Sequence, residues 1–242
     1  MFKVKYLVIG DIHGTYRELM ALLDLAAIDS DDHIIALGDI LDRGPESLEV
    51  FQFFNTHANA TAIMGNHEHK HILSYNGVIK PAFSQRITRE QFTVSEYDGM
   101  INAIRRFPLY LDLNNALLIH GAFEPGVPVT EQNKSVLLGT RNGEAYLRKR
   151  FEKPWYDLYD QDKPVIAGHH DYSGNGTPII KGDKVFLIDT GCCYGRNLSA
   201  ILLPDFRIIQ VKSSRNYWGI IKQQSNRRKV KAPRPSSTAT ER

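Results

Sequence analysis

Cysteine is nearly absent from this 242-residue chain, tryptophan occurs twice, and no long hydrophobic run is present. The two cysteines, Cys192 and Cys193, are adjacent, a spacing that strains a mutual disulfide and is too small for a structural zinc site. A disulfide-stapled scaffold is thereby excluded, and the pair is expected to be small buried filler in a reducing compartment. No apolar stretch approaches the ~20 residues of a membrane-spanning helix. Met1 leads within a few residues into a strand-like run, which leaves no room for a signal peptide. A cytoplasmic protein with no membrane partner is expected. No fixed-period repeat is visible. What remains, 42% hydrophobic and 24% charged residues, is ordinary globular composition, and the length suits one domain with a substantial core.

Charge divides the chain. The net +3 and pI of 8.7 arise at one end: residues 222–242 hold seven basic residues and one acid, a net of +6, against −3 for the rest. Hydrophobic residues nearly vanish after Ile221. The expected division is therefore a domain over residues 1–221 and a basic, disordered tail over 222–242. Such a tail is either a solvated extension or a weak docking segment for nucleic acid or an acidic partner.

Residues 3–10 read as a buried strand, followed by a helix with Leu19, Leu22, Leu23 and Ala26 on one face. A second strand at 34–37 precedes a helix opening at Pro45, and a third strand over 60–64 ends at Gly65. This alternation predicts a mainly parallel sheet with helices packed on it. Residues 88–106 read as one helix, and 116–119 as a short strand. From Pro164 onward, short strands at 165–167, 185–188, 200–203 and 208–211 are separated by turns, which predicts a second sheet stacked on the first.

Polar clusters follow these strands, at the edge where loops of an α/β sheet converge on ligands. Asp11 and His13 follow the first strand, Asp39, Asp42 and Arg43 the second, and Asn66, His67 and Glu68 the third. His120 and His169 follow two later strands. Oxygen and imidazole donors without thiolate suit borderline divalent ions such as manganese, iron or zinc. Six candidate ligands, Asp11, His13, Asp39, Asn66, His120 and His169, exceed a three-ligand open site. Two ions sharing one carboxylate would use them all, and such a pair lowers the pKa of a shared water for attack on phosphorus. Arg43 offers a planar fork for phosphate oxygens.

The ordered set Asp11-x-His13, Gly38-Asp39-x-x-Asp42-Arg43-Gly44, Gly65-Asn66-His67-Glu68, His120 and His169 resembles the calcineurin-like metallophosphoesterases, spanning residues 5–205. It is most similar to the phosphoprotein phosphatase branch, which includes small bacterial serine/threonine phosphatases and symmetrical diadenosine tetraphosphate hydrolases. The resemblance implies an α/β fold of two stacked mixed β-sheets flanked by helices. It places one ion on Asp11, His13 and Asp39, and the other on Asp39, Asn66, His120 and His169, with Asp39 as the bridge. It assigns Arg43, Asn66 and Arg141 to phosphate, and His67, oriented by Asp42, to protonation of the leaving group. The family's Thr or Ser after the last ligand is His170 here, while His169 keeps the position directly after glycine.

The resemblance implies a dinuclear phosphoesterase, first of all a serine/threonine phosphatase-like phosphomonoesterase acting on phosphorylated protein. A symmetrical dinucleoside tetraphosphate hydrolase is the alternative, and a nucleic-acid-docking module acting through the tail is a third reading. His69, His71 and His170 are expected near the site but outside the metal shell. Tyr194 either overhangs the cleft or packs beneath it. Specificity is expected in the loops at 75–91 and 124–141.

Overall fold

The computed structural model describes residues 4–231. Strands β1 (Tyr6–Ile9), β2 (His33–Ala36) and β3 (Ala60–Ala62) alternate with helices α1 (Tyr16–Ala26), α2 (Ser47–Thr56) and α3 (Asn66–Tyr75). Helices α4 (Phe83–Arg89) and α5 (Val94–Ile104) follow, then strands β4 (Tyr110–Asp112) and β5 (Leu117–Ile119). Helices α6 (Lys134–Leu137), α7 (Arg141–Arg150) and α8 (Trp155–Leu158) lead to β6 (Val165–Ala167), β7 (Ile179–Lys181) and β8 (Val185–Leu187). The long hairpin β9 (Asn197–Leu203) and β10 (Arg207–Lys212) precedes α9 (Tyr217–Lys231).

Two five-stranded mixed sheets result, ordered β10-β9-β1-β2-β3 and β4-β5-β6-β8-β7. In the first, β1, β2 and β3 are parallel, and in the second β5, β6 and β8 are parallel. Side-chain alternation explains the layering. Val8, Ile35, Leu118, Ile166 and Phe186 point into the core between the sheets. Their neighbours Leu7 and Ile9 face the layer containing α1 and α2, and Leu117, Ile119, Val165 and Leu187 face the layer containing α7 and α8. A helix–sheet–sheet–helix stack follows, because each sheet has two apolar faces to cover.

Three details depart from the sequence reading. The strands expected at 200–203 and 208–211 do not extend the second sheet: β9 returns antiparallel to β1 and carries β10 with it. The single helix expected over 88–106 is two, because Thr93 starts a new one. Its hydroxyl accepts from Glu96 N at 3.3 Å, while the Glu96 carboxylate accepts from Thr93 N at 2.8 Å, a reciprocal cap. Finally, the boundary expected at Ile221 falls inside α9, whose Trp218 ring lies 5.5 Å from Phe83. The Lys, Gln and Arg residues that depress hydropathy there are good helix formers. The tail expected to be disordered is therefore helical through Lys231, and residues 232–242 lie outside the described residues. Among the described residues no helix is long and apolar enough to cross a membrane.

Candidate metal centre and phosphate site

All the parallel strands deliver their C-terminal ends to one edge, and the loops leaving them converge on Asp39. Its Oδ1 lies 3.5 Å from His120 Nε2, and its Oδ2 lies 3.6 Å from His13 Nε2 and 3.9 Å from His67 Nε2. His13 Nε2 is in turn 3.7 Å from Asp11 Oδ2. Ligand atoms of Asp39, His120 and His169 lie within 4.8 Å of one another, as do those of His13, Asp39 and His67. The second group contains His67, which the resemblance leaves outside the metal shell.

Backbone contacts choose the histidine tautomers. His13 Nδ1 is 2.8 Å from Leu41 O, and His120 Nδ1 is 2.8 Å from Leu37 O. A carbonyl can only accept, so Nδ1 carries the proton and each Nε2 lone pair faces Asp39. Burial pushes the His13 imidazole well below its ordinary pKa and His120 down to about 4, so both are neutral ligands at pH 7. His169 is turned the other way. Its Nε2 lies 3.2 Å from Glu144 Oε1, and its Nδ1 is buried without a partner.

The donor set fits a dinuclear centre. Among the described residues six buried side-chain polar atoms lack a hydrogen-bond partner, and four of them are Asp11 Oδ2, Asn66 Oδ1, His120 Nε2 and His169 Nδ1. Orphaned buried acceptors are costly, and these four stand beyond four different strands, with His120 and His169 in one close group around Asp39. Electrostatics agrees. Burial, then the charges of Asp189 and Asp39, hold the Asp11 carboxyl well above its usual range, and burial raises Asp189 to about 6. Burial also opposes ionisation of Asp39, but His120, His67, His13 and Arg43 outweigh it and keep its carboxyl strongly depressed. Such crowded carboxyls are relieved by bound cations.

Beside this centre, buried Asp42 is a hub. Its Oδ2 lies 2.6 Å from His67 Nδ1 and accepts from Ser84 Oγ at 3.2 Å, while Oδ1 lies 2.9 Å from His71 Nε2 and accepts from Thr88 Oγ1 at 2.6 Å. Burial opposes its charge, yet His71 and His67 hold its pKa well below the carboxylate range. His67 Nε2 therefore projects outward, 2.9 Å from Arg43 Nη2, and Arg43 Nη1 lies 2.6 Å from His13 Nε2. Arg43 also stacks over the Tyr194 ring at 5.7 Å. Tyr194 is 41% exposed, so it overhangs the site and holds the guanidinium rather than packing beneath it.

Glu68 ties the loops together. Its carboxylate accepts from Asp39 N at 2.8 Å, Leu41 N at 3.2 Å and Gly65 N at 3.2 Å. Burial, reinforced by the charge of Asp39, raises its pKa to about 8. Gly65 is required here because an added Cβ would lie 2.3 Å from Asp39 Oδ1. Glu68→Ala leaves three buried N–H groups without acceptors, each worth roughly 1–3 kcal/mol. Urea unfolding in the presence of a chelator should show a loss of about 3 kcal/mol or more, and a loss under ~0.5 kcal/mol would remove Glu68 from this role.

The backbone is strained at the same place. Among the described residues eight non-glycine residues have positive φ, and five are His13 (51°), Asp39 (47°), Asp42 (73°), Arg43 (65°) and His169 (75°). Residues in this region cost about 1–3 kcal/mol each and gather at functional sites.

The remaining residues fall unevenly. Arg141 is exposed at the first position of α7 and makes no hydrogen bond or ion pair with the cluster among the described residues. It follows Gly139, where an added Cβ would lie 2.6 Å from the His169 ring, so its helix starts beside the site. His71 supports Asp42, while His69 and His170 lie outside the close groups. Cys192 and Cys193 are buried, free thiols. Glu144 and Asp189 escaped the sequence reading. Asp189 follows β8 as Asp11 follows β1, so the strand-end rule could have found it. Glu144 reaches His169 from within a helix, where sequence gives no comparable signal.

The profile of the calcineurin-like phosphoesterases matches residues 4–209. A symmetrical bis(5'-nucleosyl)-tetraphosphatase of Erwinia tasmaniensis is 26% identical, over 81% of this chain and 93% of that protein. An asymmetrical bis(5'-nucleosyl)-tetraphosphatase of Bacillus velezensis is 27% identical, over 88% and 94% respectively. Among solved structures, one described as a putative diadenosine tetraphosphatase superposes with a TM-score of 0.73 at 21% identity, covering 87% of this chain and 94% of that one.

Proposed function

The chain belongs to the calcineurin-like phosphoesterase family, and from that premise we propose that it cleaves dinucleoside tetraphosphates symmetrically. One water adds to an inner phosphorus, the P–O bond at the central bridging oxygen breaks, and two nucleoside diphosphates leave. The observation carrying the substrate class is that tetraphosphatases align with the chain over 93–94% of their own length. The phosphoserine preference anticipated from the motifs has support only at the level of the superfamily, because those motifs describe the phosphate and the metals and not the leaving group.

Two divalent ions, manganese or iron with zinc as a further candidate, would be held by Asp11, His13, Asp39, Asn66, His120 and His169, and would bind phosphate oxygens and activate water. Arg43, seated on Tyr194, presents its fork to the phosphate, assisted by Asn66. Arg141 takes a second phosphate from the start of α7. Asp42 holds His67 Nδ1–H and so fixes the ring, and Nε2, which faces Arg43 Nη2 here, would pass a proton to the departing oxygen once the phosphate draws Arg43 away.

The test is turnover of diadenosine tetraphosphate, a phosphoserine peptide and nitrophenyl phosphate with manganese, iron, zinc and magnesium. The tetraphosphate should lead in kcat/KM by about 10² or more, a difference of about 2.7 kcal/mol in transition-state binding, and yield ADP alone. ATP with AMP would make the cleavage asymmetrical, and preference for the peptide would overturn the reading.

A further inference from the structure

Beside His169, on the face of the second sheet covered by α7 and α8, lies a cavity of about 460 Å³, within the ~300–1,000 Å³ range of small-molecule sites. Its walls include Leu147, Phe151, Trp155, Tyr156 and Tyr172. The ring centroids of Tyr156 and Tyr172 are 5.1 Å apart at 71°, and those of Tyr172 and His170 are 4.9 Å apart at 75°, so the rings present both faces and edges. Trp155 is buried, and its indole Nε1 has no acceptor in hydrogen-bond geometry among the described residues.

This cavity adjoins the metal centre through two of its lining residues. Glu144, one of its lining residues, touches His169 Nε2 at 3.2 Å, and His170 lines it directly after His169. A molecule whose phosphate is held by ions on Asp39 and His169 would find room for its other end here. A carboxylate such as Glu144 repels phosphate but accepts hydrogen bonds from an exocyclic amine, so the cavity suits the uncharged, aromatic end of a nucleotide.

We propose that this cavity, with Tyr156 as a stacking face, receives one nucleobase of the substrate. The assignment rests on the dinucleoside tetraphosphate reading for the phosphate end. Base stacking on an aromatic ring is worth roughly 10- to 100-fold in affinity.

Two ligands separate the base from the rest: adenosine 5'-methylenediphosphonate and ribose 5-methylenediphosphonate share the sugar and phosphorus groups, and neither is cleaved at its P–C–P linkage. Their Kd values are measured by calorimetry on the full-length, manganese-loaded chain. The adenosine ligand should bind roughly 10- to 100-fold more tightly. Tyr156→Leu should close that gap, while Tyr156→Phe, which keeps the ring, should preserve it. Equal affinities in the wild-type chain would overturn the base site without recourse to any variant, and so would a gap that survives Tyr156→Leu in a variant with unaltered melting temperature. Failure of the tetraphosphatase reading would show separately, as absence of diadenosine tetraphosphate turnover.

Discussion

Replacing Asp39 by Asn is expected to abolish turnover and to reduce bound metal from two ions per chain to one or none. Both carboxylate oxygens are engaged, Oδ1 beside His120 and Oδ2 beside His13, so an amide keeps one oxygen and turns an N–H donor towards a position meant for a cation. Loss of an outer partner of a metal ligand typically costs 10–100-fold in metal affinity. Loss of the carboxylate shared by both ions should exceed about 10²-fold on the same scale. The fold should persist with a modest loss of stability, because Asn keeps the size of the side chain and an oxygen to accept from His67 N, while the attraction of His120, His67, His13 and Arg43 for the carboxylate is lost. Elemental analysis and thermal unfolding of the same sample decide it. Two ions retained with near-normal turnover would remove Asp39 from the bridge, and an unfolded variant would show that the carboxylate is structural.

His67→Asn should produce a loss that depends on the leaving group. Asn keeps polarity and approximate size but has no transferable proton at the position of Nε2. A serine alkoxide is a poor leaving group, so an alkyl phosphomonoester should lose about 10² to 10⁴ in kcat. Nitrophenolate departs without a proton, and a nucleoside diphosphate leaves through a phosphate whose last pKa is about 6, so both of those substrates should lose much less. Equal losses across the three would refute proton donation. Loss of metal would instead place His67 in the metal shell, beside His13 and Asp39 with which it already forms a close group.

What was legible in the sequence follows from how strongly each feature is repeated. Asp11, Asp39, His120 and His169 each stand just beyond a short apolar strand, and the parallel sheets bring those ends to one edge, so a local pattern points to a long-range cluster. The destination of β9 and β10 was not legible, because either sheet could bury Ala200 and Ile209 equally well and only the pairing with β1 decides it. The break between α4 and α5 turned on Thr93 alone. Glu144 has no strand end to mark it, and its partner His169 is 25 residues away. Residues 222–231 read as a tail because hydropathy measures burial, whereas an exposed helix needs only propensity. The motifs leave phosphomonoester and dinucleoside tetraphosphate both open, and the proposed base cavity near Tyr156 lies outside them, assembled from α7, α8 and the loop after β6.

The left-handed backbone at His13, Asp39, Asp42, Arg43 and His169 has a bearing on how this chain can be improved. Glycine would relax the backbone at those φ values, but at Asp42 it would also remove the acceptor of Ser84 and Thr88 and the partner of His67 and His71, so selection for heat resistance meets opposing effects at the very residues that carry the chemistry. Relief of about 1 kcal/mol of strain prevails only where few hydrogen bonds are lost, and the product there is a better-folded, inactive protein. A thermostabilised variant must therefore be sought at positions remote from the strand ends, with turnover scored in every round.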